Sequence, residues 1–286
     1  MIYLKTYCYA PHELEFIMAN FTECHKHIDK MIVCEFDINH TGTKRDFRFS
    51  EDGDLQTLSQ FSNASGDYGF DKLDYHSCEV FDETARAYDR EDLIHSINEP
   101  IMRSYFTKLY DFKDDDIIIS VDADEIIYGD SIGYILNQVE KYKTVALKLR
   151  QFFYKKTYLW KDKAFTSPIA TYYSEINPKF PNNWRDVGQV THNFVGCHFS
   201  WCMTPDEMIH KLYTYSHPQY RACADKELLT DAIKNKKYPF DPSVKFDIEE
   251  IDPNDKKIPK SMRVSPQNED LSNVVISSLV PVKKIK

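Results

Sequence analysis

Asp122 and Asp124 stand two residues apart in the stretch DDDIIISVDADEII, directly after an apolar run, and Glu125 follows them. A strand that apolar is buried on both faces. Three carboxylates at its tip repel one another unless a cation sits among them. Positions i and i+2 at a strand end face the same side, so Asp122 and Asp124 can share a ligand. Mg²⁺ or Mn²⁺ takes carboxylate oxygens and keeps open positions for phosphate oxygens. An ion that bridges the pair to a diphosphate would offset the charge growing on a departing nucleoside diphosphate. The chemistry implied is group transfer from a nucleotide-activated donor. The plain alternative is a solvated acidic loop. An aspartyl-phosphate phosphatase also uses D-x-D, but on an early strand with Thr or Val after the second Asp. Here the motif is mid-chain and Glu follows.

Elements that alternate strand and helix must position this tip. Residues 1–9 and 30–38 read as strands, with a helix over 13–28 on the spacing of Leu14, Ile17, Met18 and Phe21 between them. Residues 39–49 read as a loop around Gly42 and then a short strand, 50–80 as a polar irregular insertion, and 79–81 as another short strand. A long helical pattern over 89–110, kinked near Pro100, precedes the central strand 116–120. After it come a helix over 131–142, an alternating strand over 144–156, and a strand and turn over 190–202. A helix over 204–217 starts with a capping box, Thr204 as N-cap, Pro205 at N1 and Glu207 three residues on. The last clear helix is 226–235. The pattern predicts an α/β protein with an open, mostly parallel twisted sheet flanked by helices. In such sheets ligands bind beyond the carboxyl ends of the strands, where Asp122 and Asp124 fall. One domain over 1–241 is expected, with 242–286 an extended tail packed on it.

Composition narrows the function. A formal net charge of −9 argues against broad nucleic-acid binding. Only 8 Gly occur, and neither G-x-x-x-x-G-K-[ST] nor G-x-G-x-x-G is present, so no Gly-rich phosphate loop is expected. The 7 Cys are irregularly spaced, and no second pair completes Cys24-His25-Lys26-His27 or Cys197-His198 into a zinc site. They read as reduced, mostly buried thiols. No signal peptide is visible at the start of the sequence, and no apolar run approaches the about 20 residues of a membrane span. The expectation is a cytoplasmic protein without an integral membrane segment.

Several segments in the same order resemble glycosyltransferase family 17, the β-1,4-mannosyl-glycoprotein 4-β-N-acetylglucosaminyltransferase type. They are DDDIIISVDADEI, VGCHFSWCMTPDEMIHKLYTYSH, EFDINHTGTKRDFRF and INEPIMRSYFTKL, and the likeness spans roughly 1–240. Cys197 stands where the family pattern has Trp, and Ile127 where it often has Pro. The resemblance implies a GT-A-type fold, a UDP-sugar donor, Mn²⁺ or Mg²⁺, inversion at the anomeric carbon, and a glycan or glycoprotein acceptor.

Position in the chain gives each candidate a role, and the likeness adds to it. Asp124 with Asp122 is expected to contact the metal and the donor ribose, and Glu125 to anchor a neighbouring loop or act as a ligand. Arg103 either reaches the donor phosphates or pairs with one of Asp114, Asp115 and Asp116. Tyr9 and Glu35, at the ends of the first two strands, face the nucleobase crevice, where Tyr9 can stack on uracil or sit in the core. His40, Thr41, Gly42 and Lys44 are expected to loop over the diphosphate. His198 and His217 are candidate third metal ligands, and the resemblance favours His217. An inverting transferase needs a general base near the acceptor hydroxyl. Glu207, with Asp206 behind it, is the candidate, kept ionised by the helix N-terminus, although capping alone also explains it. Trp201 is a sugar platform or core. Two rivals remain. A metal-dependent nucleotidyl- or phosphotransferase would want a basic, Gly-rich loop near the N-terminus. A non-catalytic sugar-binding relative would tolerate loss of the acidic pair.

Overall fold

The computed structural model describes residues 1–10, 12–47, 70–80, 91–176, 184–214 and 218–263. In chain order the elements are β1 (Ile2–Cys8), α1 (Glu13–Cys24), β2 (Lys30–Phe36), β3 (Leu73–Cys78), α2 (Glu91–Ser104), β4 (Ile117–Ser120), β5 (Glu125–Ile127), α3 (Ile132–Tyr142), β6 (Thr144–Ala146), β7 (Leu149–Phe153), β8 (Tyr158–Phe165), β9 (Ile169–Tyr172), β10 (Gln189–Val190), β11 (Gly196–Ser200), α4 (Pro205–Thr214), α5 (Lys226–Lys234) and β12 (Ile248–Glu250).

They form two sheets flanked by helices. A 7-stranded sheet runs β10-β6-β9-β4-β1-β2-β3, and a 5-stranded sheet runs β12-β8-β7-β11-β5. In the larger sheet β4, β1, β2 and β3 are parallel neighbours, and β9 enters antiparallel between β4 and β6. Alternate side chains serve opposite faces. Leu4, Met31 and Val33 pack with Ile17 and Phe21 of α1 and Ile135 and Val139 of α3. Tyr3, Ile32 and Cys34 pack with Met102 of α2, Phe106 and Trp184 on the other side. The smaller sheet is mostly antiparallel, with β11–β7 its parallel pair.

The acidic stretch joins the two sheets. β4 lies inside the larger sheet and β5 is an edge of the smaller one, so Val121 to Asp124 is the crossing between them. Helix α1 closes the open edge of β5. The buried Asn20 donates to the Glu125 carbonyl at 3.0 Å and accepts from Ile127 N–H at 3.1 Å, doing for β5 what a further strand would do. Gly196 on β11 allows β5 its close approach, because a Cβ there would lie 2.2 Å from the Ile126 carbonyl oxygen. Cys197 beside it is buried, 3.1 Å from both the Tyr128 hydroxyl and the Lys257 carbonyl oxygen.

Three expectations need correction. The insertion expected over 50–80 contains β3, an edge strand in which only Leu73 and Cys78 are buried, so its polar majority hid it. The single strand expected over 144–156 is two, β6 in one sheet and β7 in the other. Alternation continues through the bend at Leu147 and Lys148 because each half has a buried face. The short strand expected over 79–81 is absent at Glu79 and Val80, which follow β3, and residue 81 lies outside the described residues.

Candidate active site

The carboxyl ends of β1 and β4, the 39–45 turn, β11 and the start of α4 surround a cavity of about 1050 Å³. Both aspartates of the acidic stretch line it, but they are held in different ways. Asp122 is clamped by two arginines. Arg103 of α2 donates to it through both terminal nitrogens, at 2.5 and 3.1 Å, and Arg185 lies 2.8 Å from Oδ2. Burial works against the Asp122 charge, yet the two guanidinium groups prevail and hold the carboxyl well below the usual range. Glu125 is fully buried. It accepts from Arg185 at 2.7 and 3.3 Å and from the Asp122 N–H at 2.7 Å. These bonds link the turn to Arg185.

Asp124 faces a different set. Its Oδ1 lies 3.7 Å from His198 Nε2 and its Oδ2 lies 3.6 Å from Lys211 Nζ. The tautomer of His198 follows from its neighbour. Gln151 on β7 sits opposite His198 on β11 and directs its amide nitrogen toward the Phe152 carbonyl at 3.4 Å. That leaves Gln151 Oε1 against His198 Nδ1 at 3.1 Å, so Nδ1 carries the proton. Burial lowers the His198 pKa to about 4, so the ring is neutral at pH 7. Nε2 therefore points a bare lone pair at a carboxylate oxygen, two acceptors with no proton between them. Such a pair fits a cation. Ligand atoms of Asp124, Glu125 and His198 all lie within 4.8 Å of one another. Glu125 already accepts three hydrogen bonds from Arg185 and the Asp122 amide, so Asp124 and His198 are the less engaged donors of the three. The expected ligand pair Asp122 and Asp124 is thus divided, because Asp122 is engaged by arginine. His217 lies outside the described residues.

On the β1–β2 side, Tyr9 lines the cavity with its hydroxyl 2.8 Å from His40 Nε2 and the Arg45 guanidinium carbon 5.9 Å from its ring centre. Burial lowers His40 to about 4, leaving it neutral. Glu35 is fully buried and does not line the cavity. It accepts from Arg45 and from the Tyr75 hydroxyl, each at 2.6 Å, and so places Arg45, which does line it. Thr41 and Gly42 also lie off the cavity wall. Thr41 bonds Asn39 Oδ1 at 2.7 Å, and Gly42, at φ 77°, donates to the Asn39 carbonyl at 2.9 Å. They shape a turn that presents Thr43 and Lys44 to the cavity. Arg103 pairs with Asp122 and with Glu99, not with Asp114 to Asp116, and it lines the cavity.

On the α4 side the capping box is formed. Glu207 accepts from Thr204 N–H and Oγ, both at 2.7 Å, and faces His12 Nδ1 at 3.8 Å. Burial raises its pKa, but the Thr204 hydrogen bonds and His12 outweigh this and lower it. Asp206 pairs with Lys226 at 2.7 Å and is mostly exposed. Trp201, at φ 56°, makes the turn from β11 into α4. It is buried against Phe240 and still lines the cavity, with Lys211 Nζ 5.2 Å from its ring.

Four site residues had no role at the level of sequence. Arg185 follows Trp184, which is fully buried and takes a 2.9 Å hydrogen bond from Ser120 on its carbonyl. A lone Trp-Arg-Asp in a polar loop was the available signal. Lys211 stands at helical spacing from Asp206 and Glu207, and Gln151 is a polar position in an apolar strand. Glu13 lines the cavity at the start of α1, where it accepts from the Tyr9 and Ala10 N–H groups at 2.5 and 3.0 Å through Oε2. Burial raises its pKa to about 7, against those two hydrogen bonds.

With that geometry in place, comparison with known proteins is informative. The sequence model of glycosyltransferase family 17 matches residues 9–236. No curated protein matches. Among solved structures the chain is similar to "Crystal structure of S. aureus TarS 1-349", with a TM-score of 0.37 and 10% identity over 73% of this chain and 62% of that one. The chain thus spans less than two thirds of that structure's length, and the likeness is too loose to assign a fold or a role.

Proposed function

The chain belongs to glycosyltransferase family 17, and from that premise we propose that it is a glycosyltransferase performing a metal-dependent, inverting transfer of a sugar from a UDP donor to a glycan hydroxyl. The observation that carries it is His198 Nε2 facing the Asp124 carboxylate at 3.7 Å on the cavity wall. A mixed oxygen and imidazole donor set suits Mn²⁺ better than Mg²⁺, which prefers oxygen alone. When bound there, the ion would neutralise charge on the leaving diphosphate. Asp122 is held by Arg103 and Arg185 at the mouth of the same turn, and we assign it to the donor ribose. Tyr9 and Arg45 form the nucleobase side, and Thr43 and Lys44 border the path of the phosphates.

Transfer requires the acceptor oxygen to lose its proton as it attacks the anomeric carbon. The bond from that carbon to the UDP oxygen breaks, and UDP leaves with the electron pair. Glu207 is one candidate to take the proton, through the oxygen not used by Thr204. Glu13 is a second reading, favoured by a specific observation: Oε2 is fixed by two backbone amides, and Oε1 has no hydrogen-bond partner among the described residues. A carboxyl with a pKa of about 7 is also better matched to proton abstraction near neutral pH. Asp206, paired with Lys226 and mostly exposed, ranks behind both.

Thermal melting with UDP, GDP or CMP, each with and without Mn²⁺, tests the reading. UDP together with Mn²⁺ should raise the midpoint, and Asp124→Ala should remove that rise while melting cooperatively. A shift with UDP that is independent of metal overturns the metal dependence, and one of equal size with GDP overturns the donor assignment.

A further inference from the structure

Asp124 is shared between two partners. Oδ1 faces His198 Nε2 at 3.7 Å, and Oδ2 faces the Lys211 ammonium at 3.6 Å. The carboxylate that would hold a divalent ion is therefore already beside a positive charge. Lys211 comes from α4, whose N-terminus is fixed by the Thr204–Glu207 box, and its ammonium lies 5.2 Å from the Trp201 ring centre. Its anchor is rigid, and its four-carbon stem can swing.

We infer that Lys211 makes ion binding at Asp124 conditional on a nucleoside diphosphate, by resting on Asp124 without one and moving to the diphosphate when it arrives. The inference deepens the reading above and rests on it. Without nucleotide, one carboxylate charge faces one ammonium, and a divalent ion entering beside them is repelled by the ammonium at short range. A diphosphate brings negative charge enough for both cations. Arg103 and Arg185 cannot take over this role while they clamp Asp122 and Glu125. Linkage makes the effect reciprocal, so UDP tightens Mn²⁺ and Mn²⁺ tightens UDP by the same factor.

The test is Mn²⁺ binding to the full chain, read from the electron paramagnetic resonance signal of the free ion, with and without UDP. Lys211→Met keeps an apolar stem over Trp201 and removes the charge. Wild type should bind Mn²⁺ about 10-fold or more tightly with UDP present, inside the usual range of coupling. In the variant, Mn²⁺ alone should bind about 10-fold more tightly than to wild type, while UDP in the presence of Mn²⁺ binds more weakly. A purely structural lysine would weaken both. Should Lys211→Met misfold, Lys211→Gln serves as the second variant. Unchanged or weaker binding of Mn²⁺ alone in the folded variant overturns the role of Lys211 and leaves the metal site standing. Absence of any Mn²⁺ site in wild type, with or without UDP, overturns both.

Discussion

Gln151 never touches the cavity's contents, yet it decides what His198 can do. Its Oε1 fixes the proton on Nδ1 and so leaves Nε2 bare toward Asp124. Gln151→Leu removes that acceptor and frees the other tautomer, which would point an N–H at the carboxylate. Mn²⁺ affinity with UDP present should fall about 10- to 100-fold, the usual cost of losing a partner behind a metal-binding histidine. Unchanged affinity in a titration would show that Gln151 does not set the tautomer. The two candidate bases separate by pH. Glu13 has a raised pKa, so it is protonated and idle below about pH 7 and gains basicity as pH rises through it. Glu207 has a lowered pKa and is ionised throughout. If Glu13 is the base, kcat rises through about pH 7, and Glu13→Gln costs about 100-fold or more while Glu207→Gln costs little. A kcat that stays flat down to pH 5 assigns the role to Glu207.

At the scale of elements, the site depends on a strand only three residues long. β5 carries the acidic turn, has β11 on one side, and would expose its other edge but for Asn20. Asn20→Leu leaves the Glu125 carbonyl and the Ile127 amide buried without partners. Each such group costs about 1–3 kcal/mol, so a loss of about 2–6 kcal/mol is expected in chemical denaturation. The turn should loosen as well, so the UDP and Mn²⁺ melting shift should shrink along with stability. A variant with wild-type stability would mean that β5 does not rely on α1.

At the scale of the molecule, residues 242–263 are woven into the smaller sheet. β12 pairs with β8, the Lys245 carbonyl accepts from Trp160 Nε1 at 3.3 Å, and Ile251 and Ile258 are buried beside Phe152 and Phe199. Each buried isoleucine contributes about 1.5–3 kcal/mol, and Phe246 adds to the aromatic cluster around Trp160. Together these approach the whole stability of a typical domain, about 5–15 kcal/mol. A chain ending at Asp241 should therefore show no cooperative thermal transition. A sharp transition near the wild-type midpoint would contradict that. Among the described residues no helix is long and apolar enough to cross a membrane.

Local chemistry was legible in the residues alone. An apolar run ending in Asp-x-Asp announces a buried strand with charge at its tip, a capping box announces a helix start, and the collinear segments announce the family. Those signals depend on neighbours a few positions apart along the chain. The division of labour between Asp122 and Asp124 does not. It arises because Arg103 and Arg185 converge on one carboxylate, and Gln151, His198 and Lys211 converge around the other. These partners lie far apart in sequence, and only the pairing of β7 with β11 and the crossing between the two sheets bring them together. Charge compensation acts through space, so the tertiary structure alone decided which aspartate is clamped by two arginines and which faces a histidine and a lysine.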